Sequence, residues 1–221
     1  ATIEVTNELF MRFDPTHDSR HESRHGYQFG RVGYPMTDPK APVLRVSWHD
    51  AMAFCEWLSE RIGRRFTLPT EEQWEWACRA GTATDFWFGN LGADYTSRAS
   101  LGDASLSEFA ACTARGNYTQ AVVLDNANRY DDWVPKDDSH DDGSFLTAQA
   151  ASYGANPWGL HDMHGNVWEW TLSERHQGRK IVRGGSWYDR PKRCTSSYWL
   201  DYPPYQKVFN VGFRVVCEAT P

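Results

Sequence analysis

The chain has 221 residues, with 23 Lys+Arg against 29 Asp+Glu and a formal net charge of −6. Its 40% hydrophobic and 14% aromatic residues suffice for a buried core, which excludes a disordered chain. A mean hydropathy of −0.66 without a long apolar run excludes a membrane span, and the mild acidity argues against nucleic acid as a partner. The aromatic count is unusual: 11 Trp, 10 Tyr and 11 Phe against 4 Met. So many Trp must either fill the core or form a binding surface.

In chain order, Thr6 is expected to cap a short helix carrying Leu9, Phe10 and Phe13 on one face. His17, His21 and His25 follow at i, i+4, i+8, but Arg20 and Arg24 interleave with them and no apolar face accompanies them. That pattern reads as a solvated polar loop rather than a metal site. Ser47 caps a second predicted helix, with Asp50 near its start and Ala51, Phe54, Cys55, Leu58 and Ile62 as the apolar stripe; Gly63 stops it. Thr70 and Gln73 fit a capping box for a third, with Trp74, Ala77 and Cys78 on one face and Gly81 at its end.

Residues 82–157 lose helical periodicity and hold an acidic run: Asp131, Asp132, Asp137, Asp138, Asp141 and Asp142. Such a length predicts short irregular elements pinned by something other than a large helix or sheet. Short strands are expected at Val167–Thr171, Lys180–Gly184 and Gly212–Cys217. No internal repeat or low-complexity linker appears, so one domain covers 1–221.

Cys55, Cys78, Cys112, Cys194 and Cys217 have no Cys-x-x-Cys spacing, which excludes zinc-ribbon and thioredoxin-type sites. Their odd number leaves at least one free thiol. Cys55 and Cys78 lie on apolar helix faces, where buried thiols are the simpler reading. Cysteine usage does not fix the compartment; an extracytoplasmic location is compatible with it.

The densest motif runs from Asn156 to Trp170. Asp162 and Glu169 flank a tight turn at Gly165-Asn166, whose carbonyls can turn inward. Calcium prefers carboxylate and carbonyl oxygens in such an arrangement, although a plain hydrogen-bonded turn is equally consistent with the pattern.

Five stretches in order carry a resemblance: Val46–Ala51, Leu68–Ala77, Asn156–Trp170, Arg183–Trp187 and Gly212–Val216. Together they resemble the formylglycine-generating enzyme (sulfatase-modifying factor) domain across nearly the whole chain. The resemblance implies an α+β domain of the complex C-type lectin-like fold, with few helices, short strands and long loops, braced by calcium. It also implies further strands ahead of Glu4-Val5-Thr6-Asn7, so that Ala1 is expected not to be the natural start.

One calcium site carries over to the side chains of Asp162 and Glu169 and the carbonyls of Gly165 and Val167. A second carries over to Ser100, the Leu101 carbonyl, Asp142 and the Ser144 carbonyl, with Ser100 standing where the family has Asn.

The family's catalytic signature is a cysteine pair that binds copper(I) and oxidises a substrate cysteine within a Cys-x-Pro-x-Arg peptide. Here the two positions are Asp189 and Cys194. One thiolate cannot form a two-thiolate copper site, and carboxylate is a hard ligand, so copper is not expected. The branch resembling ergothioneine-type sulfoxide synthases needs a separate iron-binding helical domain that is missing here. His49, His161 and His164 read as surface or outer-shell groups.

Two functions follow from the resemblance. One is a non-catalytic binding or accessory domain. Its recognition surface would use Tyr188, Arg190, Tyr198, Trp199, Tyr202 and Tyr205 for a protein, peptide or carbohydrate. The alternative is a metal-dependent oxidase of altered chemistry acting on a thiol through Cys194, Asp189 and nearby His residues. Trp48, Trp74, Trp76, Trp158, Trp168, Trp170 and Trp187 fall within the shared motifs and are assigned to the core, leaving Trp199 as the functional tryptophan.

Overall fold

The computed structural model describes residues 1–19, 36–105, 137–144 and 146–218. Helix α1 (Asn7–Met11) starts at Thr6, whose side chain accepts from the Leu9 N–H. Helix α2 (Trp48–Ile62) starts on a reciprocal box between Ser47 and Asp50 and stops at left-handed Gly63. Ala51, Phe54 and Cys55 face the core, but Ile62, expected to continue the stripe, is exposed. Helix α3 (Glu71–Arg79) opens on the Thr70–Gln73 box and ends at left-handed Ala80, one residue before Gly81. No helix among the described residues is long and apolar enough to cross a membrane.

The described residues form two small sheets. One has four strands in the order β4 (Trp199–Tyr202), β3 (Lys180–Arg183), β2 (Trp168–Glu174), β5 (Val211–Gly212). The other pairs β1 (Phe66–Thr67) antiparallel with β6 (Val216–Cys217). Three helices and these short strands make an α+β architecture.

The strand expected over Gly212–Cys217 is in fact two strands in different sheets. Phe213, Arg214 and Val215 between them are all buried, which strict inside–outside alternation along one strand forbids. β4 was also not foreseen. It pairs with β3 in register Val182↔Leu200 and Arg183↔Trp199, and so places Trp199 on a sheet edge.

The main core gathers Phe10, Val43, Val46, Phe54, Trp168, Trp170, Val211 and Phe213 between α1, α2 and the larger sheet. A smaller cluster joins Trp74 and Cys78 of α3 to Met163. Trp74, Trp168, Trp170 and Trp187 are buried as expected, whereas Trp76 and Trp158 are 69% and 43% exposed. Trp76 lies two residues from Trp74, about 200° around a helix, so both cannot face the same core. Its ring meets that of Trp158 at 4.3 Å, forming an exposed pair.

Candidate functional site

The Asn156–Trp170 segment turns at Gly165 and Asn166, both with positive φ, at 77° and 55°. Gly165 is required there for a second reason. A Cβ at that position would lie 1.9 Å from the Ser100 carbonyl oxygen. The turn therefore clamps the 100–105 loop to the start of β2.

Behind the turn lies a buried charge cluster. Glu169 is fully buried and receives two 2.6 Å bonds from Arg214, Nε to Oε2 and Nη2 to Oε1. Trp74 Nε1 donates to Oε2 as well, also at 2.6 Å. Both oxygens of this expected calcium ligand are thus already engaged by protein donors.

The free oxygens lie elsewhere. Asp162 accepts from the Ala151 N–H through Oδ2, while its buried Oδ1 has no partner. Glu4 accepts from Asn166 Nδ2 through Oε1, while its buried Oε2 likewise has none. Burial, with Asp162 nearby, pushes the Glu4 carboxyl well above its usual range, and burial raises Asp162 too. Three carboxyl groups thus face one guanidinium, so at pH values where Glu4 and Asp162 ionise the cluster lacks positive charge. Calcium fits that deficit and the two orphaned oxygens, with Asp162 and Glu4 as the available side chains and the Gly165 and Val167 carbonyls as expected donors. Glu4 escaped the sequence reading because it lies 158 residues from Asp162 in the chain.

The second expected site comes together around Asp142. Its Oδ2 accepts from Leu101 N–H, and its Oδ1 accepts from Ser144 N–H and the Tyr153 hydroxyl. Burial, with Asp103 beside it, pushes the Asp142 carboxyl up to about 7. Asp141 is exposed, as a solvated acidic turn requires, whereas Asp142 is not fully so. Asp131 and Asp132 lie outside the described residues.

At the family's catalytic positions the structure has built a hydrogen-bonded latch. Asp189 is buried; its Oδ2 accepts from Trp168 Nε1 at 2.7 Å and from the Ser186 hydroxyl, and Arg193 lies 3.4 Å from Oδ1. Cys194 is fully buried, and a Cβ at Gly185 would lie 2.2 Å from its sulfur. Burial, reinforced by Asp189, pushes its thiol well above the ordinary value. Burial and the Asp189 charge thus favour the neutral thiol over the nucleophilic thiolate. Among the described residues, no three His, Cys, Asp or Glu side chains converge as metal ligands.

His164, expected as a surface or outer-shell group, is fully buried and edge-on to the stacked rings of Phe86 and Phe88. Its Nε2 accepts from Trp87 N–H, so Nδ1 carries the proton and donates to the Cys194 carbonyl at 2.7 Å. Burial lowers its pKa to about 4, which keeps it neutral. It serves as a satisfied core histidine. His17 bonds the Leu44 carbonyl, and His21 and His25 lie outside the described residues.

The six candidate recognition residues divide in two. Tyr188 packs against Trp187 and Phe209, Tyr198 against Trp168, and Tyr202 against Trp170; all three are half-buried. Arg190 and Tyr205 are exposed, and Trp199 is 39% exposed beneath the Arg175 guanidinium at 4.6 Å.

This fold and its turn motif define a formylglycine-generating-enzyme-like domain. The model of the "Sulfatase-modifying factor enzyme 1-like domain" matches residues 1–219, and the chain belongs to that family. The chain is 32% identical to "Inactive C-alpha-formylglycine-generating enzyme 2" of Bos taurus over 187 residues, covering 80% of this chain and 50% of the relative. It is 28% identical over 202 residues to "Formylglycine-generating enzyme" of Bos taurus, covering 83% and 46% respectively. The chain therefore spans about half the length of these curated relatives. Among solved structures, PvdO from Pseudomonas aeruginosa has the same fold, with TM-score 0.68, 22% identity, and coverage of 99% of this chain and 79% of that one.

Proposed function

We propose that this is a non-catalytic, calcium-braced binding or accessory domain. The observation that carries the proposal is Asp189. It stands where the first catalytic cysteine would be, and Trp168, Ser186 and Arg193 hold its carboxylate. A 32%-identical relative whose own name includes the word "inactive" supports this reading. Calcium at Asp162 and Glu4, and again at Asp142, would brace a loop-rich chain that has little regular structure to do so. Recognition of a protein, peptide or carbohydrate is assigned to the exposed part of the 187–210 segment, centred on Trp199 with Arg190 and Tyr205. Tyr188, Tyr198 and Tyr202 support that surface from below.

Metal analysis of the purified protein together with oxygen uptake tests this reading. It predicts calcium without stoichiometric copper or iron, and no oxygen consumption on a thiol peptide. A retained redox metal with thiol-dependent oxygen uptake would restore the oxidase alternative.

A further inference from the structure

We propose that the exposed ring pair of Trp76 and Trp158, with the Glu72 carboxylate one helical turn before Trp76, is a docking point for a basic segment of a partner protein, which lays an arginine or lysine side chain across the rings. The proposal uses none of the 187–210 residues and so goes beyond the reading above.

The pair is fixed from beneath. Asn156 is buried, and its Nδ2 donates to the Ala77 carbonyl at 2.7 Å, which ties the Trp158 turn to α3. Its Oδ1 accepts from the N–H groups of Trp158 and Leu160. The two rings meet at 4.3 Å with 59° between their planes, yet remain 69% and 43% exposed. Two large rings held side by side in water form an apolar patch that the described fold does not cover. Because the rings are already ordered, a ligand settling on them costs little further side-chain freedom.

Charge complementarity selects the occupant. Three other tryptophans at the surface each carry a cation of the chain itself: Lys180 lies 4.5 Å from the Trp48 ring, Arg61 4.8 Å from Trp57 and Arg175 4.6 Å from Trp199. Trp76 and Trp158 are more exposed than Trp199, and among the described residues no cation lies over either ring. Arg79, three residues past Trp76, is turned instead to Glu75 and the Thr84 carbonyl. Of the glutamates in α3, Glu71 pairs with Arg175, and Glu75 with Arg79 and Arg183. Glu72 is exposed and has no ion pair among the described residues. It stands four residues before Trp76, on the same face of the helix. Its own backbone N–H and the Thr70 hydroxyl hold its carboxyl below the usual range, so it is ionised at neutral pH. The negative π faces and this carboxylate all attract a cation, and a net charge of −6 favours the approach of a basic partner. Arginine suits the place best, since its plane can stack on a ring while its fork bonds the carboxylate. A neutral sugar would use the rings and leave the charge idle.

The test is titration of the protein with a capped peptide of alternating arginine and glycine, followed by NMR of the tryptophan indole N–H signals. Trp76→Phe and Trp158→Phe assign the two signals of interest. The peptide should shift these two and leave those of Trp48, Trp57 and Trp199, whose rings are already covered, in place. Trp76→Ala and Glu72→Gln should each weaken binding by about two- to fivefold, and a citrulline peptide, neutral but of the same shape, should bind about tenfold more weakly. Glu56→Gln, at an exposed glutamate of α2, should leave the affinity unchanged. Absence of shifts at millimolar peptide would overturn the proposal. So would equal binding of the citrulline peptide, or a loss for Glu56→Gln as large as that for Glu72→Gln, which would mean attraction to the net charge alone. Stronger shifts of the same two signals by a neutral oligosaccharide, or concentration-dependent self-association abolished by Trp76→Ala, would overturn it in favour of a sugar or a second copy of the chain.

Discussion

Replacing Arg214 by Met probes the buried charge cluster directly. Arg214 is 3% exposed and Glu169 fully buried. Two 2.6 Å bonds join them, and Trp74 adds a third to the same carboxylate. Burial opposes the guanidinium charge, yet Glu169 beside it raises its pKa. Removing one partner of such a pair costs about 3–5 kcal/mol, because the other charge stays buried without compensation. In Arg214→Met that uncompensated charge is Glu169, with Glu4 and Asp162 beside it. For a chain of this size the melting temperature should fall by about 6–20 °C. Glu169→Gln should cost less, about 1–3 kcal/mol, since it removes a negative charge from an over-negative cluster and keeps an acceptor for Trp74. Thermal unfolding in chelator, followed by tryptophan fluorescence, measures both. A melting temperature for Arg214→Met indistinguishable from the parent, or a larger loss for Glu169→Gln, would refute the charge assignment.

Other consequences follow from the same geometry. Adding calcium should raise the melting temperature, because an ion that binds only the native state stabilises it; no change on chelation would count against both sites. That rise should be small near pH 4 and still growing through pH 7. Metal binding requires ionised ligands, and the folded-state pKa values of Glu4, Asp162 and Asp142 are raised, to about 7 for Asp142. The sign is that of a raised carboxyl: without metal the native state holds protons that the unfolded chain releases, so stability is lost as pH rises through the folded pKa. Asp189→Ala should destabilise by about 2–4 kcal/mol, since it strands the Trp168 N–H and the Ser186 hydroxyl in the core; urea unfolding measures it. Trp199→Ala should cost under about 1 kcal/mol, the worth of an exposed cation–π contact, and should act on ligand capture instead. In native protein, iodoacetamide should label Cys217 before Cys55, Cys78 or Cys194, which are buried; peptide mass spectrometry reads the order.

The parts of the fold that local physics decides were readable from sequence. Ser47–Asp50 and Thr70–Gln73 announce their helices because a capping box is written within four residues. The Gly165 turn was visible for the same reason. What escaped depends on partners far along the chain. Glu169 read as a calcium ligand because its guanidinium, Arg214, lies 45 residues away, and Glu4 was not singled out because Asp162 lies 158 residues further on. Arg214 sits in a segment that reads as a strand until its three consecutive buried residues are seen. Trp76 and Trp158 were assigned to the core by motif membership, although helical spacing from Trp74 already placed Trp76 on another face. Asp189 stood out where the resemblance implies a cysteine, but only the structure shows that its carboxylate is tied to Trp168, Ser186 and Arg193.

The central claim, that the domain no longer oxidises thiols, is tested most directly by mass spectrometry of a Cys-x-Pro-x-Arg peptide. The peptide is incubated with the protein, copper(I), reductant and oxygen. The account predicts that its cysteine remains unchanged. Conversion of that cysteine to an aldehyde, dependent on the protein and abolished by Cys194→Ala, would contradict it.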